Sequence, residues 1–268
     1  MNNINPVPNQ DTLIDKSLSI ARRKADRNEQ VLNIAANWIY NILSSTVSSF
    51  PDMDNLDEYS AEMISLNFDI DEVKQALGGV HSVGSIAKDS ARTGNISVFV
   101  GRLSEAIEKR QGQFETLHLV RKEFRLLPTL IDTYRVVLVG YPNVGKTSLL
   151  ADLTGASPDI QSYEFTTKYI NAGTINSVFG KIQVLDTPGV LLREGKKNEI
   201  EERAFITARY AGDDVVVVGQ NVFSDRDHSK VVEEFTRRGK KPLLYGEEGL
   251  GTPEALTKEL VNRLRQIQ

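Results

Sequence analysis

The stretch GYPNVGKT, residues 140–147, constrains this chain more than any other feature. It fits the phosphate-loop pattern GxxxxGK[ST], follows the β-branched run at residues 136–139 and precedes the helical pattern SLLADLTG. In such a strand, turn and helix, backbone N–H groups and a helix amino terminus converge on phosphate. The sequence therefore predicts a nucleotide-binding α/β domain in which Lys146 reaches the terminal phosphates and the Thr147 hydroxyl binds magnesium.

Two later segments extend this phosphate loop. Asp186-Thr187-Pro188-Gly189 follows the strand pattern KIQVL, and YEFTTK supplies Thr166 and Thr167. The separation of 186 − 146 = 40 residues leaves room for one helix, a loop and a two-strand hairpin. The Asp186 carboxylate stands where a magnesium-linked water and a γ-phosphate sensor belong. A hydroxyl of YEFTTK can close over magnesium only while the γ-phosphate is present, as in a nucleotide switch. This order and spacing favour a TRAFAC-type GTPase.

The chain divides near residues 128–133. Before this point apolar residues recur at helical steps, and after it short β-branched runs alternate with helical stretches, which is typical of a mainly parallel sheet covered by helices. We predict an all-α helical bundle over residues 1–133 and an α/β P-loop GTPase domain over residues 134–268. The residues expected to form buried helix faces are Val31, Ile34, Trp38, Ile42, Leu43, Leu103, Ile107, Phe114, Leu117, Val120, Phe124 and Leu127. The expected strands are YRVVLVG, YINAGTIN, GKIQVLD, DDVVVVG and KKPLLYG.

Composition excludes several classes of protein. The chain has no cysteine, which rules out a disulfide framework, thiolate zinc sites and thiol catalysis. Its 32 basic residues against 36 acidic residues are balanced so that neither half of the chain is polybasic, and any RNA contact would have to come from local patches. No apolar run approaches the roughly 18 residues of a membrane span, and the first residues lack the pattern of a signal peptide. We expect a soluble cytoplasmic protein with neither DNA nor a membrane as partner.

The chain resembles the nucleolar GTP-binding protein 1 family, relatives of the Obg GTPases, in its archaeal form. The resemblance lies in GYPNVGKTSLL, YEFTTK, VLDTPGVLLR and NEIEERAFITA, and in the helical part in FPDMDNLDEYSAEMI, DEVKQALGGV and VRKEFRLLPTLID. It covers roughly residues 6–218. The resemblance implies GTP binding and hydrolysis coupled to assembly of the large ribosomal subunit, with pre-ribosomal RNA and ribosomal proteins as partners.

The resemblance also implies roles for individual residues. Magnesium would be held by Thr147 and Thr167, and by Asp186 through a water molecule. Lys146 would neutralise the β- and γ-phosphates, and the Gly189 N–H would sense the γ-phosphate. The other expected nucleotide contacts are Tyr141, Pro142, Asn143, Val144, Gly145 and Ser148.

Val190 stands where many GTPases place the glutamine that orients the attacking water. In related GTPases with an apolar residue at this position, potassium held partly by a phosphate-loop asparagine offsets the charge on the transferred phosphoryl group. Asn143 stands at that asparagine position. The alternative is that Asn143 only braces the loop through hydrogen bonds.

The sequence departs from the family in the segments that read the base. Neither the NKxD motif nor the Ser-Ala loop is present. After VVVVG only 268 − 219 = 49 residues remain, whereas the expected helices, strands and loops need roughly 59. We therefore expect the domain to be one strand-helix unit short. Asn221 and Asp225 have the wrong spacing for NKxD, and Glu247 and Glu248 suit either a guanine contact or a solvated turn.

Three functions remain open from the sequence. The first is a slow GTPase switch in large-subunit assembly. The second is a scaffold or assembly module that holds a nucleotide, or none, with degenerate base recognition and little or no hydrolysis. The third is an ATP-using P-loop protein, which the missing guanine motif permits and the switch segments oppose.

Overall fold

The structure is a computed structural model that describes residues 4–26, 28–155, 169–192, 198–219, 228–246 and 250–267. The chain forms two compact units, Met1–Arg125 and Leu126–Gln268. The second unit includes the residues just before its first strand, because Ile131 N–H donates to Gln183 Oε1 at 3.1 Å and Gln183 Nε2 donates to the Thr129 carbonyl at 2.8 Å. These bonds fix the entry of the chain into the sheet.

The first unit is helical, as predicted. Its helices are α1 (Gln10–Lys24), α2 (Asn28–Ser48), α3 (Glu58–Ser65), α4 (Ile70–Ala91), α5 (Ile96–Glu108) and α6 (Gln111–Leu126). Short polar side chains start four of them by accepting bonds from first-turn N–H groups, which otherwise have no partner. These capping residues are Asn9, Asp57, Asp69 and Asn95.

The buried face of α2 differs from the predicted one. Of the predicted residues only Leu43 is fully buried, while Val31, Ile34, Trp38 and Ile42 are half-buried. The buried stripe is Leu32, Ala35, Ala36, Ile39 and Leu43. Helix α2 packs against both α1 and α4, and its buried stripe includes two small residues, while the bulkier predicted residues are half-buried. The predicted faces of α5 and α6, from Leu103 to Leu127, are buried as expected.

The second unit contains a five-stranded sheet in the order β2-β3-β1-β4-β5. Its strands are β1 (Tyr134–Val139), β2 (Asn171–Ser177), β3 (Gly180–Asp186), β4 (Asp214–Val218) and β5 (Leu243–Tyr245). β2 pairs antiparallel with β3, and all other pairs are parallel. The side chains of β1 and β4 are almost fully buried, as expected for central strands covered on both faces. The predicted fold class, a mainly parallel P-loop domain after a helical bundle, is confirmed.

The helices of this unit are α7 (Lys146–Thr154), α8 (Glu199–Ile206), α9 (Ser229–Arg237) and α10 (Pro253–Ile267), and a π-helical turn, Thr207–Ala211, continues α8. Arg263 on α10 pairs with Asp214 at 2.9 Å, at the amino end of β4, and Asp214 also accepts a bond from the Tyr134 hydroxyl. This cluster anchors α10 to the sheet. In the described residues after β4 there is one strand, β5, between the helices α9 and α10.

None of the described helices is long and apolar enough to span a bilayer.

Candidate nucleotide-binding site

The phosphate loop joins β1 to α7 through an unusual backbone. Three of its residues have positive φ angles: Gly140 at 152°, Asn143 at 64° and Gly145 at 92°. Gly145 caps α7 without a side-chain hydrogen bond to the first turn. Glycine has no side chain that could cap these N–H groups, so together with the helix dipole they can bind an anion.

Two glycines allow close approach of neighbouring backbone. A Cβ on Gly140 would lie 2.8 Å from the Val218 carbonyl oxygen, so a larger residue would push β4 away from the loop. A Cβ on Gly189 would lie 2.6 Å from Pro142 N. Gly189, the expected γ-phosphate sensor, is thus packed directly on the phosphate loop.

Lys146 is held inside the loop. Its Nζ donates to the carbonyl oxygens of Gly140 at 3.2 Å and Tyr141 at 2.8 Å, and only 6% of the residue is exposed. Burial lowers the pKa of Lys146 to about 8, although the charge of Asp186 acts in the opposite direction. In the part of the chain that the structure describes, the ammonium forms no ion pair. A bound anion would supply the missing negative charge.

Asp186 ends β3 and is completely buried. Its Oδ2 accepts bonds from Thr147 Oγ1 at 2.7 Å and from Asn171 Nδ2 at 3.3 Å. Burial raises the pKa of the Asp186 carboxyl, and the Thr147 bond, the Lys146 charge and the Asn171 bond oppose this rise. Its Oδ1 is buried and has no hydrogen-bond partner among the described residues.

This arrangement fits a hard divalent cation. A hydroxyl and a carboxylate with a free oxygen are oxygen ligands of the kind that magnesium prefers, either directly or through water. A buried carboxylate oxygen without a partner is costly unless a cation or a cation-bound water satisfies it. Thr147 and Asp186 are therefore suited to magnesium, whereas Thr167, the third expected ligand, lies outside the described residues.

The DTPG segment is tied to β1 and to the phosphate loop. The Thr187 N–H and hydroxyl both donate to the Leu138 carbonyl, at 3.3 and 2.8 Å, and the Val190 N–H donates to the Gly140 carbonyl at 3.0 Å. The Val190 side chain is fully buried. It is apolar as well as buried, so it cannot orient a water molecule as a glutamine does.

The other expected contacts have different surroundings. Tyr141 and Val144 are buried, and the Tyr141 ring packs against His228 with ring centroids 5.6 Å apart. Asn143 and Ser148 are exposed, and Pro142 is half-buried against Gly189.

The base end of the site is described only in part. β4 and β5 end side by side, where Gly219 N–H donates to the Tyr245 carbonyl at 3.0 Å. The segments that continue from them, residues 220–227 and 247–249, lie outside the described residues. They contain Asn221, Asp225, Glu247 and Glu248.

Sequence reasoning missed two residues of this site. Asn171 reaches Asp186 because the β2–β3 hairpin pairs these two residues directly. The signal was available, since a two-residue turn at Val178 and Phe179 fixes the register back to position 171. Glu201 on α8 is 6% exposed, and its Oε1 accepts the Leu191 N–H at 2.8 Å. No sequence signal distinguished it, because acids in a first helical turn are usually solvated.

Comparison with known proteins places both units. Residues 2–132 match the family model described as the NOG1 N-terminal helical domain, and residues 135–246 match the 50S ribosome-binding GTPase model. An uncharacterized protein of Methanocaldococcus jannaschii is 33% identical over 198 residues, covering 68% of this chain and 55% of that protein. The nucleolar GTP-binding protein 1 of Drosophila melanogaster is 29% identical over 214 residues, covering 74% of this chain and 32% of that protein.

A third relative, the nucleolar GTP-binding protein 1 of Saccharomyces cerevisiae, is 27% identical over 172 residues, covering 58% of this chain and 27% of that protein. The chain thus spans about half or less of the length of these relatives. The helical and GTPase matches follow one another in the order of the two units described above. With both matches and these relatives, the chain belongs to the nucleolar GTP-binding protein 1 family.

Proposed function

We propose that the chain binds GTP and GDP with magnesium at the candidate nucleotide-binding site and hydrolyses GTP slowly, as a switch in assembly of the large ribosomal subunit. The strongest support is that two buried polar groups of the site each lack a compensating partner among the described residues. Lys146 is a buried cation without an ion pair among the described residues, and Asp186 carries a buried oxygen without a partner there. A magnesium nucleotide would satisfy both at once.

Magnesium would be held by the Thr147 hydroxyl and by Asp186 through water, with Thr167 as the third proposed ligand. The ion would neutralise phosphate charge. Lys146 would bind the β- and γ-phosphates, and the amino end of α7 would surround them with N–H groups. Gly189, already against Pro142, would be placed to sense the γ-phosphate.

Slow hydrolysis follows from Val190. Its buried, apolar side chain leaves the attacking water without the usual positioning group. We include potassium, partly held by Asn143, as the element that offsets phosphoryl charge. The φ angle of 64° at Asn143 gives the residue a second reason to be asparagine, since asparagine tolerates this conformation better than most residues.

Two observations favour the scaffold alternative. Val190 is buried and apolar, which is expected of a protein that rarely hydrolyses its nucleotide, and the sequence lacks the NKxD motif that reads guanine. Guanine preference therefore rests on the family, in which the relatives are named GTP-binding proteins.

A role in ribosome assembly is supported by the GTPase family, whose description is 50S ribosome-binding GTPase, and by the nucleolar relatives. We propose pre-ribosomal large subunits, with their RNA and proteins, as partners and the cytoplasm as the place of action. Sedimentation of the purified protein with large-subunit particles should increase with a non-hydrolysable GTP analogue over GDP. Equal sedimentation in both states would contradict a switch.

Titration with fluorescent nucleotides separates the three functions. GDP, GTP analogues, ADP and ATP analogues are titrated with magnesium, in potassium and in sodium salts. Micromolar binding of GDP with ADP excluded, and slow GTP turnover, supports the proposed switch. GDP binding without turnover, or no binding at all, supports the scaffold, and an ADP preference supports the ATP-using protein.

A further inference from the structure

Two consecutive backbone N–H groups after Gly189 bond in different directions. The Val190 N–H donates to the Gly140 carbonyl of the phosphate loop at 3.0 Å. The next N–H, of Leu191, donates to Oε1 of Glu201 on α8 at 2.8 Å. The backbone of residues 190 and 191 therefore connects the phosphate loop to α8 through two hydrogen bonds.

Burying the Glu201 carboxylate costs free energy because it removes the group from water. It is only 6% exposed, and among the described residues its carboxylate has the Leu191 N–H as its hydrogen-bond partner and forms no ion pair. The amino end of α8 favours a negative charge, which offsets part of the desolvation cost. An apolar side chain would fill the same space without that cost, so packing alone does not explain a glutamate.

The bridged segment is also held in an uncommon conformation. Leu192 has a φ of 51°, in the left-handed region that non-glycine residues seldom adopt. At the other end of the segment, Gly189 touches Pro142 so closely that a Cβ would clash with it. Such a conformation persists only where the surrounding structure holds it.

We infer that Glu201 is a positioning residue: it fixes the segment that carries Gly189 against the phosphate loop and transmits the state of that segment to α8. The inference rests on the proposed function, since the segment would meet the γ-phosphate of GTP. Glu201 is not one of the proposed nucleotide contacts. Its carboxylate selects the conformation in which Gly189 is ready for the terminal phosphate, and GDP lacks that phosphate.

Hydrogen exchange of the Leu191 amide tests the contact in the nucleotide-free protein. Glu201→Leu should speed exchange of this amide about tenfold, because the bond to a charged acceptor is lost. Glu201→Gln keeps an acceptor at the same reach and should stay near the wild-type rate. Glu201→Asp keeps the charge but is one methylene shorter, so it should behave like Glu201→Leu and serves if the leucine variant does not fold.

The matched control is Glu202→Leu, the adjacent acid of the same helical turn, which should leave the Leu191 amide unchanged. Equal exchange in wild type and in both Glu201→Leu and Glu201→Asp would overturn the inference.

Nucleotide affinities test the consequence. Glu201→Leu or Glu201→Asp should weaken the binding of a non-hydrolysable GTP analogue about tenfold more than the binding of GDP. Glu201→Gln should keep the ratio of these two affinities close to that of the wild type. An equal loss for both nucleotides would mean that Glu201 only stabilises the fold, and would overturn the inference. If the wild type binds neither nucleotide, the proposed function fails, while protection of the Leu191 amide by Glu201 would still establish the link to α8.

Discussion

The two ends of the nucleotide site differ in how they are built. At the phosphate end, the loop over residues 140–147 and the DTPG segment lock together through backbone contacts and buried polar groups. At the base end, the chain continues from β4 and β5 without the side-chain motifs that read guanine. Both lie where the carboxyl ends of parallel strands meet. Phosphate recognition depends on the loop that shapes the domain, whereas base recognition depends on side chains that can be lost while the sheet remains.

The strongest test of this contrast is Lys146→Met. If the phosphate end carries most of the affinity, the variant should bind GDP about 100-fold more weakly than the wild type does, since the bonds to charged groups that it removes are worth a few kcal/mol together. Isothermal titration or fluorescent nucleotide binding measures both affinities. A variant that folds and still binds GDP normally would break the assignment of the phosphate end.

Lys146→Met should also change how the melting temperature of the protein depends on pH. Burial lowers the pKa of Lys146 to about 8 from 10.5, so the folded state disfavours the charged form. This penalty is fully present below pH 8 and fades as the pH rises towards 10.5. The nucleotide-free Lys146→Met protein should therefore melt at or above the wild-type temperature at pH 7, and this difference should shrink by pH 10. A large loss of stability at pH 7 would show a structural role instead.

The second test is Asn171→Ala, which removes a bond to Asp186 but no proposed magnesium ligand. The magnesium concentration that slows GDP release by half should rise about tenfold, as when a residue that orients a metal ligand is lost. Asn176→Ala, on the exposed part of the same strand, is the matched control. If both variants respond equally, Asn171 does not position Asp186.

A third test concerns potassium and is expected to be smaller. Wild-type GTP hydrolysis should be several times faster in potassium than in sodium, and Asn143→Gly should abolish the difference while keeping the positive φ that glycine tolerates. Asn143→Ala adds a backbone cost of roughly 1 kcal/mol and is the less clean variant. Equal rates in the two salts for wild type and variants would reject potassium and leave Asn143 as a brace of the loop.

The smallest effect is expected at the base end. The double variant Glu247→Gln, Glu248→Gln should change the ratio of GDP to ADP affinity by no more than about twofold, because single substitutions of polar residues usually have small effects unless they remove a specific contact. Glu254→Gln in the first turn of α10 controls for the loss of charge. A tenfold or larger fall in the ratio would show that one of these acids reads guanine, and the two ends would then be more alike than the sequence indicates.

Much of the fold could be predicted because its signals are local. The phosphate loop needs glycines at fixed positions, and buried strands such as β4 are continuous apolar runs, so both are visible in a short window. The face of α2 could not be predicted, because α2 packs against two helices, α1 and α4, and its buried side therefore depends on those neighbours as well as on its own pattern.

In the candidate site, residues that belong to one short sequence motif could be predicted from the sequence. Residues that contact a segment distant in the chain could not. Lys146 and Thr147 belong to a short pattern. Glu201 meets Leu191 only because the chain turns back at α8, and nothing in its neighbourhood distinguishes it from the exposed acids beside it. Asn171 falls between these cases, since hairpin register would have placed it opposite Asp186.

The helical unit that ends at Arg125 also has a consequence for synthesis of the protein. Its α2 packs on helices close to it in the chain, whereas β1 must wait for a partner such as Asp214, paired with Val136. Chain closure over such a distance is slow, and amino-terminal domains fold first during translation. We expect α1 to α6 to be folded while the sheet is still being translated, so the nucleotide site is completed after the helical unit has folded.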